Sequence, residues 1–152
     1  MCQISPNIIS DNEIFQRIDA ERFPLVDRFY RSQGYKVKCA ANERVYAIVH
    51  KDEGFIASVR LVPQSSGHYW LRNLLVASDK RGQGLATGLM RYLLPDLAPQ
   101  GCYCFALQHL DDFYSALGFT LNPDHCPKDI LATYNIYRAR GRDWLLMGYR
   151  QG

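Results

Sequence analysis

Between Val76 and Ala86 the chain reads Val-Ala-Ser-Asp-Lys-Arg-Gly-Gln-Gly-Leu-Ala. An apolar run gives way to a polar, glycine-bearing turn, and leucines at helical spacing follow. A turn that opens directly into a helix leaves about four backbone N–H groups without intrahelical partners, and the macrodipole adds roughly half a positive charge there. Gly82 and Gly84 carry no side chain that would hold a ligand away from those amides. Arg81 adds a permanent charge and a planar fork suited to phosphate oxygens. The natural guest is a pyrophosphate. Glycine inside a helix costs about 1 kcal/mol against alanine, so the placement of this pair suggests a purpose. The plain alternative is a solvated turn. Two nucleotide signatures are absent: there is no G-x-x-x-x-G-K-[ST], and Arg81 to Ala86 lacks G-x-G-x-x-G spacing with an acidic residue about twenty positions on.

A second constellation is Phe113-Tyr114-Ser115-Ala116-Leu117-Gly118-Phe119. Phe113 and Leu117 are spaced i, i+4 and are expected in the core. Tyr114 is offset by about 100° and need not be buried with them. A phenol with a pKa near about 10 can donate a proton to a departing thiolate, whose thiol sits near about 8.5. The alternative is an aromatic that only packs. The five cysteines, at positions 2, 39, 102, 104 and 126, include no C-x-x-C and no zinc spacing with histidine. Reduced, structural thiols and no metal are expected, with Cys102 and Cys104 sharing one face of a strand.

The elements that must hold these residues are legible from periodicity. Ser10 and Glu13 have the spacing of a capping box, which predicts a helix through Ile14 and Ile18. Pro24 can open a second helix with Val26, Phe29 and Tyr30 inward and Gly34 as its stop. Strands are expected at 45–49 and 55–62 around an Asp52-Glu53-Gly54 turn, with Pro63 to Gly67 as loop. A nearly continuous apolar strand, Tyr69 to Val76, should be central. A helix carrying Leu85, Leu89 and Leu93 follows and ends at Pro95. Next come a strand over 102–107, a short helix from Asp111 stopped by Gly118, a helix over 127–140 closed by Gly141, and a last strand over 144–149. Neighbouring strands joined through a helix should lie parallel with a right-handed crossover. The class is mixed α/β.

Composition bounds the rest. The chain has 152 residues, a formal net charge of +3, and 47% hydrophobic, 22% charged and 12% aromatic residues. That is ordinary globular chemistry rather than disorder, and the length suits one domain, residues 1–152. An excess of three positive charges does not argue for nucleic acid as a partner. Met1 to Ser10 lacks the basic patch and apolar stretch of a signal peptide, and no run approaches the ~18 apolar residues of a membrane span. A soluble, cytoplasmic protein that does not engage membranes is expected.

Taken together, these segments resemble the GNAT superfamily of acyl-CoA-dependent N-acyltransferases. The resemblance rests on R-x-x-G-x-A at Arg81, Gly84 and Ala86, on L-x-V at Leu74 and Val76, and on F-Y-x-x-L-G-F from Phe113 to Phe119. It spans about Val45 to Phe119, and the last strand can follow in order. It implies a mixed, mostly antiparallel central sheet with a splayed parallel strand pair and flanking helices. It also implies that backbone groups of Leu74, Leu75 and Val76 pair with the pantetheine arm of acetyl-CoA as an added strand would. The amides of Gly82, Gln83, Gly84, Leu85 and Ala86 would hold the pyrophosphate beside Arg81. Tyr114 falls where many members place the general acid. The implied reaction is direct attack of a primary amine on the thioester, with an oxyanion donor expected from a backbone N–H near Val76 at the bulge.

Some relatives place a carboxylate or imidazole at positions matching Trp70, Arg72 or Asn73, and this chain has none there. The candidate bases nearby are His68, His109 and Asp111, with water as the other route for the amine's proton. An asparagine that often contacts the cofactor before the last catalytic helix is replaced by Leu107, Gln108 and His109. These departures motivate the alternative of a non-catalytic acyl-CoA-binding or sensor module. Trp70 and Arg72, two apart on one strand face, could line a pocket for a small-molecule or peptide amine that bears a carboxylate, although Arg72 serves equally well as an ion-paired structural residue. The final strand could pair with another copy in a homodimer or complete its own sheet.

Overall fold

The computed structural model describes residues 8–10, 12–97, 99 and 101–150. The readings on Cys2 and on the first seven residues lie outside this set. The strands are β1 (Ile8–Ser10), β2 (Glu13–Ile18), β3 (Arg44–His50), β4 (Gly54–Pro63), β5 (Tyr69–Val76), β6 (Cys102–Ala106), β7 (Thr120–Leu121) and β8 (Leu145–Tyr149). The helices are α1 (Phe23–Ser32), α2 (Leu85–Leu93), α3 (Asp111–Ala116) and α4 (Lys128–Ala139). The class is mixed α/β, with a mostly antiparallel sheet and one parallel pair, β5 and β6. The chain packs as two compact units: one takes the chain up to Arg60 together with Asn73–Leu93, the other takes Leu61–Arg72 and Leu94 onward.

In the first unit the strand order is β1-β2-β3-β4-β5. The expected first helix is a strand. Ser10 and Glu13 are partners in the antiparallel pairing of β1 with β2, and Glu13–Ile18 runs antiparallel to β3 from Glu13↔His50 to Ile18↔Val45. The physical reason is parity. A spacing of four suits one face of a helix, but it is also two strand repeats, so Ile14 and Ile18 share a strand face equally well. Phe15 then points the other way, where it stacks on Tyr92 of α2 at 5.2 Å. Gly88 of α2 makes room for it, since a Cβ there would stand 3.1 Å from the Phe15 ring.

Helix α1 forms as its sequence demands, with proline in the first turn and Val26, Phe29 and Tyr30 buried. It packs with Ile18, Val45, Ala47, Leu75 and Ala77. Alternation along β3 sends Val45 and Ala47 to that side and Tyr46 to the other, where Tyr46 meets Tyr92 edge-on at 6.0 Å. Leu85, Leu89 and Leu93 of α2 are all buried. Helices therefore cover both faces of this half of the sheet, which suits the nearly continuous apolar character of its strands.

In the second unit the order is β5-β6-β8-β7. Strands β5 and β6 are parallel, as a strand–helix–strand connection requires, and their ladder consists of Tyr69↔Cys102 and Trp70↔Tyr103. Strand β8 is antiparallel to β6 on one side and to β7 on the other, so the last strand completes its own sheet. The two-residue β7 has no sequence signal of its own. Cys102 and Cys104 lie buried on β6 as free thiols. Tyr103, Ile130 and Leu146 form a core with Phe105 and Tyr134 packed against it. None of the described helices is long and apolar enough to cross a membrane.

Candidate functional site

The turn after β5 is built around two left-handed glycines. Gly82 has φ +81° and Gly84 has φ +76°, a region that side chains rarely enter, so the backbone path itself requires glycine at both. Both precede α2 rather than lying inside it, so the helix-interior penalty does not apply. The first intrahelical bond of α2 runs from the Gly88 amide to the Gly84 carbonyl at 3.1 Å. The amides of Leu85, Ala86 and Thr87 thus have no acceptor within the helix. A Cβ at Gly82 or Gly84 would meet no protein atom within 4 Å, so the space over the turn is open.

Charged side chains frame this cradle. Arg81 is exposed, and its Nε donates to the Val76 carbonyl at 3.2 Å, which pins the guanidinium beside the strand end. Lys80 is committed elsewhere, 2.7 Å from the Glu53 carboxylate. The hydrogen bond from Lys80 holds that carboxyl below its usual range. Gln33 accepts from the Ser78 amide at 3.0 Å and ties the turn to the end of α1.

Upstream on β5, Asn73 adopts φ +57°, one of two non-glycine residues with positive φ among those described. This conformation costs about 1–2 kcal/mol for an ordinary L-residue, and asparagine tolerates it better than most. The strained position on β5 is therefore Asn73. Its environment fixes it. Tyr30 Oη donates to the Asn73 carbonyl and Arg60 Nη1 donates to Asn73 Oδ1, both at 2.7 Å. Arg60 Nε and Nη2 donate to the two Glu43 carboxylate oxygens at 2.8 and 2.9 Å. The Ala40 amide donates to Glu43 Oε2 at 2.9 Å. Glu43 is 7% exposed and Arg60 8%. Sequence reasoning missed this group. Its only local signal is an asparagine flanked by Arg72 and leucines in an otherwise apolar strand.

In the second unit, Tyr114 is 6% exposed, whereas Phe113 and Leu117 are only partly buried. This reverses the expected facing of α3. The helix is six residues long, and Gly118, at φ +101°, turns the chain so that Phe119 folds back on Tyr114, with ring centroids 5.2 Å apart. The Phe119 amide donates to the Tyr114 carbonyl at 3.1 Å and closes the helix end. Burial pushes the Tyr114 phenol well up, so it stays protonated across the physiological range. No buried side-chain oxygen or nitrogen among the described residues lacks a hydrogen-bond partner.

Trp70 and Arg72 do come together, the guanidinium carbon lying 4.1 Å from the indole ring centre. Trp70 also packs on Phe105 at 5.0 Å and on Tyr137 of α4 at 6.3 Å. The candidate bases each have their own surroundings. His68 Nδ1 is 3.1 Å from Ser66 Oγ, and its ring meets the Tyr103 ring edge-on. His109 is exposed on a single 3-10 turn, and Asp111 Oδ1 accepts from Ser115 within α3 at 3.1 Å. Among Leu107, Gln108 and His109, Gln108 donates to the Asp143 carbonyl at 2.8 Å. Among the described residues, no three His, Cys, Asp or Glu side chains gather as metal ligands would.

Known proteins share this architecture. The gonococcal N-acetylglutamate synthase, solved with coenzyme A and N-acetyl-glutamate, superposes with a TM-score of 0.64 at 15% identity, over 94% of this chain and 36% of that one. ElaA of Escherichia coli gives 0.62 at 14% identity, over 91% and 99%. Naa50 of Arabidopsis thaliana, solved with the bisubstrate analogue CoA-Ac-MVNAL, gives 0.61 at 13% identity, over 92% and 99%. At such identities these likenesses show the fold alone. No curated protein matches the chain in sequence. Residues 12–119 match the Acetyltransferase (GNAT) family, a span that takes in the glycine turn, the strained strand and Tyr114, and the chain belongs to that family.

Proposed function

We propose that the protein transfers an acetyl group from acetyl-CoA to a primary amine on a small-molecule or peptide acceptor. The observation that carries this reading is the turn from Arg81 to Gly84, whose left-handed glycines lead unpartnered amides into open space at a helix N-terminus. Five successive residues, Gly82 to Ala86, would hold the diphosphate there by N–H donation, with Arg81 as the adjacent fixed charge. Backbone groups of Leu74, Leu75 and Val76 would pair with the pantetheine arm. Acetyl-CoA supplies an acyl carbon already activated as a thioester.

The chain's own groups then have three tasks. A backbone N–H of Leu74 to Val76 would donate to the developing oxyanion. Tyr114 would deliver its proton to the departing sulfur as the new C–N bond forms and the C–S bond breaks. Its burial keeps that proton in place before the reaction, although the same burial makes it a weaker acid. The amine's proton would leave through water, since β5 carries no carboxylate or imidazole. Trp70 and Arg72 would line the acceptor side. An amino-acid or peptide amine is the class in view, in keeping with the N-acetyl-glutamate and CoA-Ac-MVNAL held by two proteins of this fold.

The test is release of free thiol when the pure protein meets acetyl-CoA and a broad amine panel, with the acceptor identified by the mass gain of one acetyl group. Intact CoA binding with no thiol released across the panel would favour the second reading, a non-catalytic acyl-CoA-binding module. The absence of a carboxylate or imidazole from β5 is the observation that favours it.

A further inference from the structure

We infer that the buried Glu43–Arg60 pair, with Tyr30, is a positioning device that holds Asn73 in its left-handed conformation and so sets the backbone of Leu74–Val76. The inference rests on the reading above, in which that backbone meets the acyl-CoA arm. It goes beyond that reading by assigning the geometry of the strand to four side chains outside it or at its strained point.

Removing two charges from water offsets most of their mutual attraction, so a buried ion pair is weak support for stability, and apolar residues of similar volume often serve as well. The geometry here is nevertheless fully satisfied. The Arg60 guanidinium grips Glu43 with two N–H groups and spends a third on Asn73 Oδ1 at 2.7 Å. Glu43 takes a further donor from the Ala40 amide. Asn73 is held at both ends, its side chain by Arg60 and its carbonyl by the fully buried Tyr30. These contacts converge on a residue whose φ of +57° departs from ordinary strand backbone. A strained residue persists only where its surroundings over-determine it. The next three residues are Leu74, Leu75 and Val76, and just past the end of β5 the Ala77 amide donates to the Ile56 carbonyl at 2.8 Å. The segment is thus anchored at Asn73 and at Ala77, and the span between them is what the brace orients.

The experiment is an amide chemical-shift study of the whole chain, free and titrated with acetyl-CoA or with ADP as a probe that carries only the diphosphate. The variants are Glu43→Leu/Arg60→Met, which replaces both ends of the pair and avoids an orphaned charge, and that double variant with Asn73→Gly added. Glycine takes positive φ freely. In the unliganded double variant the Asn73 carbon shifts should lose their left-handed signature. On titration, its amides 82–86 should respond as in the wild type, while those of 74–76 lose most of their response to acetyl-CoA and affinity for acetyl-CoA drops about tenfold against an unchanged ADP affinity. Adding Asn73→Gly should restore both. If the double variant does not fold, Asn73→Ala against Asn73→Gly in the wild-type background decides, the first losing the response at 74–76 and the second keeping it. Unchanged Asn73 shifts and an unchanged 74–76 response in the double variant, or in Asn73→Ala, would overturn the inference. A wild type whose amides 82–86 ignore both probes would instead overturn the functional reading, leaving the Asn73 signature to decide the brace.

Discussion

Tyr114 packs in the core of the second unit, and in the proposed reaction it would also be the proton donor. Its ring lies between Phe113 and Phe119, with centroids at 5.0 and 5.2 Å, so the hydroxyl can be removed without disturbing the aromatic contacts. Tyr114→Phe should therefore lower turnover about 10²-fold, the low end of what a general acid contributes, and leave CoA affinity within about twofold. Thiol-release kinetics and calorimetry on the same preparation check both halves; a large loss of CoA affinity would make Tyr114 a structural residue. Arg72 makes a separate prediction. Stacked on Trp70 at 4.1 Å, it would favour acceptors that carry a carboxylate, and Arg72→Ala should erase the preference for acidic over neutral amines in a competition assay.

At the scale of elements, the turn before α2 is the feature that local sequence announces most clearly. Gly84→Ala forces a side chain into a left-handed position at φ +76° and places a methyl group in the open space over the amides. The methyl group should weaken CoA affinity roughly tenfold in calorimetry, whereas the strain of about 1–2 kcal/mol should lower the urea midpoint with the far-ultraviolet dichroism unchanged. The turn was legible because its determinants are contiguous: two glycines, an arginine and a following leucine period. The leucine helix, the central strand over Tyr69–Val76 and α1 were legible for the same reason. Elements that depend on a distant partner were not. The run through Ile14 and Ile18 fits helix and strand alike, and only pairing with β3 decides it. Tyr114 faces inward because a turn at Gly118 brings Phe119 back to it, which spacing within α3 does not encode. The Asn73 brace joins Tyr30 to a residue 43 positions away, and no periodicity reports such a contact.

For the molecule as a whole, buried weak acids set the response to pH. Burial pushes the thiols of Cys102 and Cys104 well up, and burial together with Asp27 pushes Cys39 up to about 12. The phenols of Tyr30 and Tyr114 are raised by the same cause. In the unfolded chain these thiols ionise near about pH 8.5 and the phenols near about 10. The folded state then binds more protons than the unfolded one, so stability is fully present below about pH 8.5 and is lost as pH rises. Urea midpoints should fall steadily between about pH 8.5 and 10.5, and Cys104→Ala should make that fall shallower. A midpoint that stays flat across the range would contradict the burial of these thiols.

The proposed function stands on the amides that open α2 receiving the diphosphate of an acyl-CoA. A crystal structure of the protein grown with acetyl-CoA tests it most directly. Diphosphate oxygens should lie within hydrogen-bonding distance of backbone N–H groups between Gly82 and Ala86, with the pantetheine arm running along Leu74–Val76. A diphosphate bound at any other surface, with these amides facing only water, would contradict it.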